Sequence, residues 1–546
     1  MAEHLWHRSA GSRAACASRA AWTADAALPG LGAPGTATAS QSGLPPPPAT
    51  REGGAPVRQK YGALSFCWSV LPGQSDDLVL NSSTAVSRQE ESAFSVPSSH
   101  RKWIFMPIPF SRRPVLSLGA LALAGLTITG LTAVPSHAAR PATAGVESSG
   151  AAFLVKHQRV GVVADALVAA SRTLPRQGGY AGLITAPERS SITLYWKGGV
   201  PAQVRQAMRS DRRVKVRVAT APYTEHQLKT ARDRVVRQWG ALPGLTSIGP
   251  SPDGKGLLVG VAAEGGKPVA ARKATAFSRG VSGITGGVAV VKVESASPEA
   301  SVGKASVGAR AVGRNGQQAY GGARWMFTKD GQQYVCSTAF GVRYPGTAVQ
   351  LTTSAAHCGS QWGKAYSPEY PSSRPFAWID TATHDRDASI LYPEQNGANR
   401  FFQPRIWWGP WVGSPSGQKT LPVRGLNGNH VGQRVCSSGA SSGTICDLRI
   451  EATEKTIWLS GSQPVYRTVQ VSKPAGQAVW GPGDSGGPVA QNNGDHVWAN
   501  GIVSASDKGN HPAACQGDTS RACASKGWYA ALNTYLDEQG LELLTQ

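Results

Sequence analysis

Charged residues make up only 16% of this 546-residue chain, and Met occurs only four times. A coiled coil needs many more charged and helix-forming residues, so that class is excluded. The eight cysteines contain no C-x-x-C pair, which argues against structural zinc, and no metal or cofactor is expected. Acidic residues are scarce, 33 Asp and Glu against 55 Lys and Arg, a net charge of +22 that invites a nucleic-acid reading. What is present is a 41% hydrophobic fraction, enough to bury a sizeable core and to exclude a wholly disordered chain. The length accommodates about three domains.

The charge and the cysteines are unevenly placed. Residues 140–314 carry 26 Lys and Arg against 10 Asp and Glu, a net +16, whereas residues 315–546 carry 18 against 16, a net +2. The C-terminal part therefore has no call for a polyanion, and the middle excess reads as scattered charge on a solvated surface. No nucleic-acid partner is expected. Cys16 and Cys67 lie near the start and the middle segment has none. Cys336, Cys358, Cys436, Cys446, Cys515 and Cys523 follow, an even number that suggests three disulfides and an oxidising compartment.

Met106 opens a second, convincing N-terminus. Arg112 and Arg113 precede an apolar run from Val115 to Val134, and in Ser136-His137-Ala138 the outer two are small residues at the positions a signal peptidase reads. Residues 106–139 are thus expected to be a signal peptide removed on secretion to the extracellular space, with no stable membrane anchor. The Arg pair leaves both the general and the twin-arginine export routes open. Residues 1–105, rich in Ala, Gly, Ser and Pro, read as a low-complexity extension or a start-site error.

Residues 140–294 read as α+β. Ile192–Trp196 is β-rich, Pro201 opens a helix to about Met208, and Val214–Val218 alternates as a strand. Thr224 and Gln227 make a capping box for a helix with Leu228, Ala231, Val235 and Trp239 on one face. A strand over Leu257–Val261, a helix and a strand over Val288–Val293 repeat that order, so a small layered domain is expected. Residues 295–319, rich in Ser, Ala and Gly, read as a linker. From Tyr320 short apolar runs alternate with Gly, Ser and Pro turns, as in an antiparallel barrel or sandwich. Trp528–Leu536 reads as a closing helix.

The string Gly483-Asp484-Ser485-Gly486-Gly487-Pro488 carries the chemistry. Glycines permit a tight turn that brings amide N–H groups toward one point. A serine there can attack a carbonyl while its own N–H and that of Gly483 hold the oxyanion. The hydroxyl is weak until a base takes its proton. Thr353-Ser354-Ala355-Ala356-His357-Cys358 supplies an imidazole, and Asp385-Arg386-Asp387-Ala388-Ser389 a carboxylate. The order His, Asp, Ser is one of the chain orders of this triad.

On these residues, with Tyr320-Gly321-Gly322, Cys336-Ser337-Thr338-Ala339-Phe340 and the stretch Val435 to Cys446, the region from about 315 to 546 resembles the chymotrypsin family of serine proteases. The likeness is to its secreted bacterial, α-lytic-protease-like branch. The resemblance implies two six-stranded antiparallel β-barrels over residues 320–546 with the site in the cleft between them. It implies that the preceding α+β segment is a pro-region, a folding aid and inhibitor cut off within the linker. Ser485 is then the nucleophile, His357 the base and later the acid, and Asp387 the group that orients His357. Asp387 is preferred to Asp385 and Asp380 because Ala-Ser-Ile-Leu follows it. Gly483 and Ser485 form the oxyanion hole. The family pairs Cys336 with Cys358 and Cys436 with Cys446, which leaves Cys515 and Cys523 as the third pair.

By the same resemblance Val479 and Trp480 occupy the floor of the substrate pocket, and Ser504, Ala505 and Ser506 form the wall that pairs with substrate backbone. Neither floor residue is acidic, so a small or apolar side chain before the scissile bond is expected, with Trp480 able to make the pocket shallow. Two departures stand out. No Ile-Val-Gly-Gly start exists to neutralise Asp484, and Ser437 stands where the branch places an arginine, leaving Arg434 as a substitute. Trp407, Trp408 and Trp411, in a Gly- and Pro-rich stretch, read as packing residues or as a stacking surface for a polymer.

The function expected is a secreted, monomeric serine endopeptidase acting on protein or peptide substrates. A catalytically inactive binding protein on the same fold and a membrane-tethered cationic protein are the alternatives. The first would lack Ser485 labelling. The second would keep the basic middle segment in the mature product.

Overall fold

The computed structural model describes residues 150–263, 269–300, 302–304, 319–367, 375–394, 402–409, 419–459 and 463–546. The extension, the signal segment, most of the linker and Trp411 lie outside them. Among the described residues no helix is long and apolar enough to cross a membrane.

The α+β part has two small cores. Helix Ala151–Arg172 presents Val160, Val163, Ala164 and Leu167 at helical spacing and buries them. They pack on strands Tyr180–Ala186 and Ser191–Trp196, and Lys215–Thr220 completes that sheet by parallel pairing with Ser191–Trp196. The connection between the two parallel strands holds the short helix Ala202–Ala207. The second core sits under helices Glu225–Arg237 and Ala271–Thr285, against strands Leu245–Pro250, Leu257–Val261 and Val290–Ser295. Here too the strands on either side of a helix, Leu257–Val261 and Val290–Ser295, run parallel. The capping box forms: Gln227 N–H donates to Thr224 Oγ1 (3.1 Å) and Thr224 N–H to Gln227 Oε1 (3.0 Å). Leu228, Ala231 and Val235 are buried as the spacing predicts. Trp239 departs from it. It lies past the helix in a single 3₁₀ turn and stacks on Trp458, ring centroids 5.7 Å apart.

Among the described residues the β part forms two rings of six antiparallel segments, in agreement with the fold class read from the sequence. In the first, Arg324–Lys329 pairs with Gln332–Ser337, and the chain continues into Gly341–Arg343. That strand pairs with Leu351–Ser354, followed in turn by Ala388–Pro393, Ala377–Thr383 and Lys364–Ala365. Tyr366 closes the ring by exchanging two backbone hydrogen bonds with Met326 (2.7 and 2.9 Å). The second ring runs Arg434–Gly439, Gly443–Trp458, Pro464–Ser472, Lys526–Ala531, Val497–Ser506, Pro488–Asn492 and back to Arg434–Gly439. Val435, Leu448, Val469, Val489, Val503 and Tyr529 fill it. A further apolar cluster, including Phe340, Ile390, Ile406, Leu421, Ile502 and Tyr535, draws on strands of both rings.

The closing helix is Leu532–Gln539, and Trp528–Ala531 belongs to the last barrel strand. The run is buried on both faces inside the ring, and an apolar run buried on both faces has no period that separates strand from helix. Trp407 and Trp408 end the strand Phe402–Trp408 and do not lie in a loop. Trp408 is buried and Trp407 packs edge-on against Tyr320 at 5.5 Å, so both are packing residues.

The α+β part and the second ring share a sheet. Leu245–Pro250 pairs antiparallel with the outer end of the sixteen-residue strand Gly443–Trp458, Ile248 opposite Thr456 and Ser247 opposite Ile457.

Candidate active site

Three elements deliver the site. The strand Leu351–Ser354 ends in a 3₁₀ turn, Ala356–Cys358, that carries His357. The Cys336–Cys358 disulfide ties this turn to the neighbouring strand Gln332–Ser337. Asp387 ends the turn that leads into strand Ala388–Pro393, with its own N–H donating to His384 O (3.2 Å). Its φ is +49°, the left-handed region that Asp tolerates better than most residues. Ser485 follows Gly483 (φ +93°) and precedes Gly486 (φ +80°) in the connection to strand Pro488–Asn492. At Gly486 a Cβ would lie 2.4 Å from Ser337 O and 2.2 Å from Ser354 Oγ, so only glycine fits.

These side chains meet. His357 Nε2 lies 2.8 Å from Ser485 Oγ, and Nδ1 lies 2.9 and 2.8 Å from the two Asp387 oxygens. Asp387 is buried and has two further partners: the His357 backbone N–H at 3.0 Å and the Ser504 hydroxyl, which donates to Oδ2. A carboxylate on Nδ1 fixes the ring orientation and leaves Nε2 toward the serine. Asp385 faces Arg386 (3.1 Å), and Asp380 accepts from Tyr344 OH (3.3 Å), so neither alternative carboxylate takes the position beside His357.

The turn before Ser485 is held by Ser337 and Asp484. Ser337 N–H donates to Ser485 O (2.7 Å), and its hydroxyl donates to Gly483 O while accepting from Ala440 N–H (both 2.9 Å). Asp484 is fully buried. It accepts from Ser441 N–H, Ser442 N–H, Gly481 N–H and the Ser442 hydroxyl. Its cationic partner is Arg521, Nη1 3.2 Å from Oδ2, and not Arg434. Arg434 instead turns its backbone N–H to His157 Nε2 (3.1 Å). Arg521 stands inside the small loop closed by the Cys515–Cys523 disulfide, 37 residues beyond Asp484, and no local pattern announces it. The Cys436–Cys446 disulfide also forms.

Of the residues expected to line the substrate pocket, Ser504 touches the triad through its bond to Asp387. Val479 and Trp480 are fully buried. The Trp480 indole N–H donates to Ala505 O (2.9 Å), and a Cβ on Gly527 would come within 2.3 Å of the ring, so the indole occupies the space between those backbones. Ser504, Ala505 and Ser506 end the strand Val497–Ser506.

Two short pieces of the linker pair with strands of the two rings, one piece on each. Glu299–Ala300 pairs antiparallel with Ser506 and Ala505. Gly303–Lys304 pairs antiparallel with Val335 and Tyr334 on the first ring. Val302 packs against the apolar cluster that includes Cys336 and Cys358, and the ideal Cβ position of Gly303 is 2.9 Å from Gly483 N. The composition of this stretch identifies it as a linker and says nothing of these pairings.

No family model and no curated protein matches the chain. Among solved structures it is similar to Thermobifida fusca protease A, at 23% identity over 42% of this chain and 98% of that one, with a TM-score of 0.31. It is similar to a Nocardiopsis protease at 19% identity over 41% and 98%, with a TM-score of 0.31. It is also similar to Cellulomonas bogoriensis chymotrypsin, at 19% identity over 42% and 98%, with a TM-score of 0.28. These neighbours are chymotrypsin-like bacterial serine proteases.

Proposed function

We propose that this chain is a secreted serine endopeptidase, made as a pre-pro-protein, whose first substrate is its own linker. The hydrogen-bonded series Ser485, His357, Asp387 carries the reading. In the acylation step Ser485 Oγ attacks a peptide carbonyl carbon and His357 Nε2 takes the hydroxyl proton. The carbonyl oxygen becomes an oxyanion held by the Gly483 and Ser485 N–H groups. As the C–N bond breaks, His357 returns the proton to the leaving amine. Water then attacks the acyl-enzyme with His357 again as base. Asp387 stays ionised and stabilises the imidazolium in both steps.

The linker pairings support self-processing. Residues 299–300 lie along the wall strand and residues 303–304 along the opposite ring, so together they bracket the bonds between Ala300 and Gly303. The first cut is expected there, and the processed chain would begin at residue 301, 302 or 303. Until release the same contacts keep other substrates out, which is the inhibitory role of a pro-region. The buried Trp480 favours a small side chain before the scissile bond, and the disulfides suit an extracellular protein.

The test is to purify the secreted species, determine its N-terminus, label it with an organophosphonate and assay peptide hydrolysis, each with and without Ser485→Ala. Wild type should be cut within 300–303, label at Ser485 and cleave after small residues. Ser485→Ala should stay uncut and lose roughly three or more decades in rate. A processed wild-type protein that neither labels nor hydrolyses would make this a binding protein on a protease fold. Cleavage mainly after Lys or Arg would overturn the pocket reading.

A further inference from the structure

We propose that Lys508 makes this protease selective for an acidic side chain at the substrate position that lies opposite Ser506. The proposal rests on the endopeptidase reading above and names what that site selects. Substrate backbone is expected along Ser504–Ser506, and the chain's own Glu299–Ala300 shows how a peptide lies there, Glu299 opposite Ser506 and Ala300 opposite Ala505. In that register the Glu299 carboxylate reaches Lys508 Nζ at 2.9 Å.

The lysine stands on a turn that other groups have already fixed. Asp507 is fully buried. It accepts from Ser297 N–H (3.1 Å) and the Asn510 amide (2.7 Å), and its other oxygen lies 2.9 Å from His511 Nδ1. His511 N–H donates to Asp507 O, and Ser525 N–H to His511 O, both at 2.8 Å. Of these contacts only the one from Ser297 is lost when the linker leaves. The turn is therefore preorganised, and little further ordering cost falls on a substrate that meets it. Both charged side chains are about a third exposed, which places the pair at a groove rim rather than in a core. A rim pair of this kind contributes modestly and is weakened by salt.

The linker sequence carries the acid where the groove carries the base, and the rest of that strand agrees in character. Ala296, two residues before the buried Pro298, packs against Ile457, Val465 and Trp528. A favoured substrate is thus small or apolar along the groove with one carboxylate at the Lys508 position.

The test uses the secreted, processed protein and three fluorogenic peptides of the sequence 297–306, with Glu, Gln or Lys at position 299 and the cleaved bond identified by mass. The Glu peptide should exceed the Gln peptide in kcat/KM by about fivefold, the upper range for an exposed ion pair. The Lys peptide should be the slowest, and the spread should collapse toward unity in 1 M salt, where the screening length is about 3 Å. In Lys508→Glu the order should invert, the Lys peptide becoming the fastest. The ratio within one preparation decides, so a poorly folded variant does not obscure the result, and the salt series on wild type decides without any variant. Equal rates for the three peptides in wild type, or an unchanged order in Lys508→Glu, overturn this inference alone. If no peptide is cut and Ser485 does not label, the endopeptidase reading falls and this proposal falls with it.

Discussion

At the scale of single residues, the centre depends on charges that have no water to support them. Asp484 is fully buried beside Ser485, and Arg521, itself nearly buried, is its ionic partner. Arg521 also donates to Pro482 O (2.7 Å), Ser441 O (3.1 Å) and Asp518 O (2.8 Å), so it ties together the loops on both sides of the Gly483–Ser485 turn. Replacing Arg521 by Met removes the positive charge and these donors while keeping much of the volume. The expected cost is about 3 kcal/mol of stability, the lower end for breaking a buried pair, because four other donors still reach Asp484. The measurement is chemical denaturation of the Ser485→Ala background, which avoids self-digestion. A change below about 0.5 kcal/mol would mean that the hydrogen bonds alone hold Asp484. The contrast in legibility is physical. Ser485, His357 and Asp387 sit in strings whose backbone demands leave a local mark: glycines at positive φ around the serine, a cysteine beside the histidine, an apolar strand after the aspartate. Arg521 has no such mark, since an arginine in a disulfide loop looks like any solvated cation until the chain turns it inward. Lys508 and the second role of Ser504 are equally silent.

At the scale of elements, strands and helices whose sequence states a period or a cap are legible, and those buried on all sides are not. The Thr224–Gln227 box marks its helix to the residue, whereas the strand Lys526–Ala531 reads as part of the helix that follows it. Helix Ala151–Arg172 adds a pH-dependent contact. His157 on its buried face accepts from Arg434 N–H of the second ring, and further along the helix Asp165 lies 2.7 Å from His430 Nε2 of the same ring. Burial first, and the Arg434 charge second, lower the His157 pKa from 6.5 to about 4. A base whose folded pKa is lowered is held neutral, so the docked state binds fewer protons than the free one between those values. The contact is then fully present above about pH 6.5 and is lost progressively as the pH falls toward 4. After the linker is cut, the released α+β part should leave the protease up to two orders of magnitude more readily at pH 4 than at pH 7, because each pH step of one between the two pKa values weakens docking by roughly 1.4 kcal/mol. Binding of the separated parts by calorimetry across that range, with His157→Gln as the variant that keeps an acceptor without titrating, checks it. An equal pH slope in wild type and variant would assign the effect to other groups.

At the scale of the whole molecule, the two parts of the chain are joined through backbone as well as side chains. The outer end of Gly443–Trp458 extends past the ring, and Lys455, Ile457 and Trp458 are buried there alongside Ile248, Glu294 and Trp239 of the α+β part. Lys455 has its Nζ 3.8 Å from Glu294, and desolvation lowers its pKa to about 8, a cost tolerable only while the acid stays close. Antiparallel rings need pairings far apart in sequence, and closing them is slow because loop entropy is lost before the contacts form. On the proposed reading of the α+β part as a folding aid, the sheet edge at Leu245–Pro250 would give the hairpin of Gly443–Trp458 and Pro464–Ser472 a partner before the ring closes. The charge excess that invites a polyanion reading belongs partly to this joint: Lys229 and Arg232 reach Glu454 of the ring at 3.3 and 3.5 Å. Gly249 is the place to break it. A Cβ there would lie 2.8 Å from Lys455 Cγ and 3.1 Å from its Cα, a contact that no rotamer relieves at the backbone atom. Gly249→Val is therefore expected to leave the α+β part folded, since Val suits a strand, while preventing the edge from pairing with Gly443–Trp458. Secretion of Gly249→Val should yield at least about tenfold less active protease than wild type at equal expression, and circular dichroism of the isolated α+β part should be unchanged. Wild-type yields of active protease from Gly249→Val would show that the ring closes without the shared sheet, and would remove the folding role from this interface.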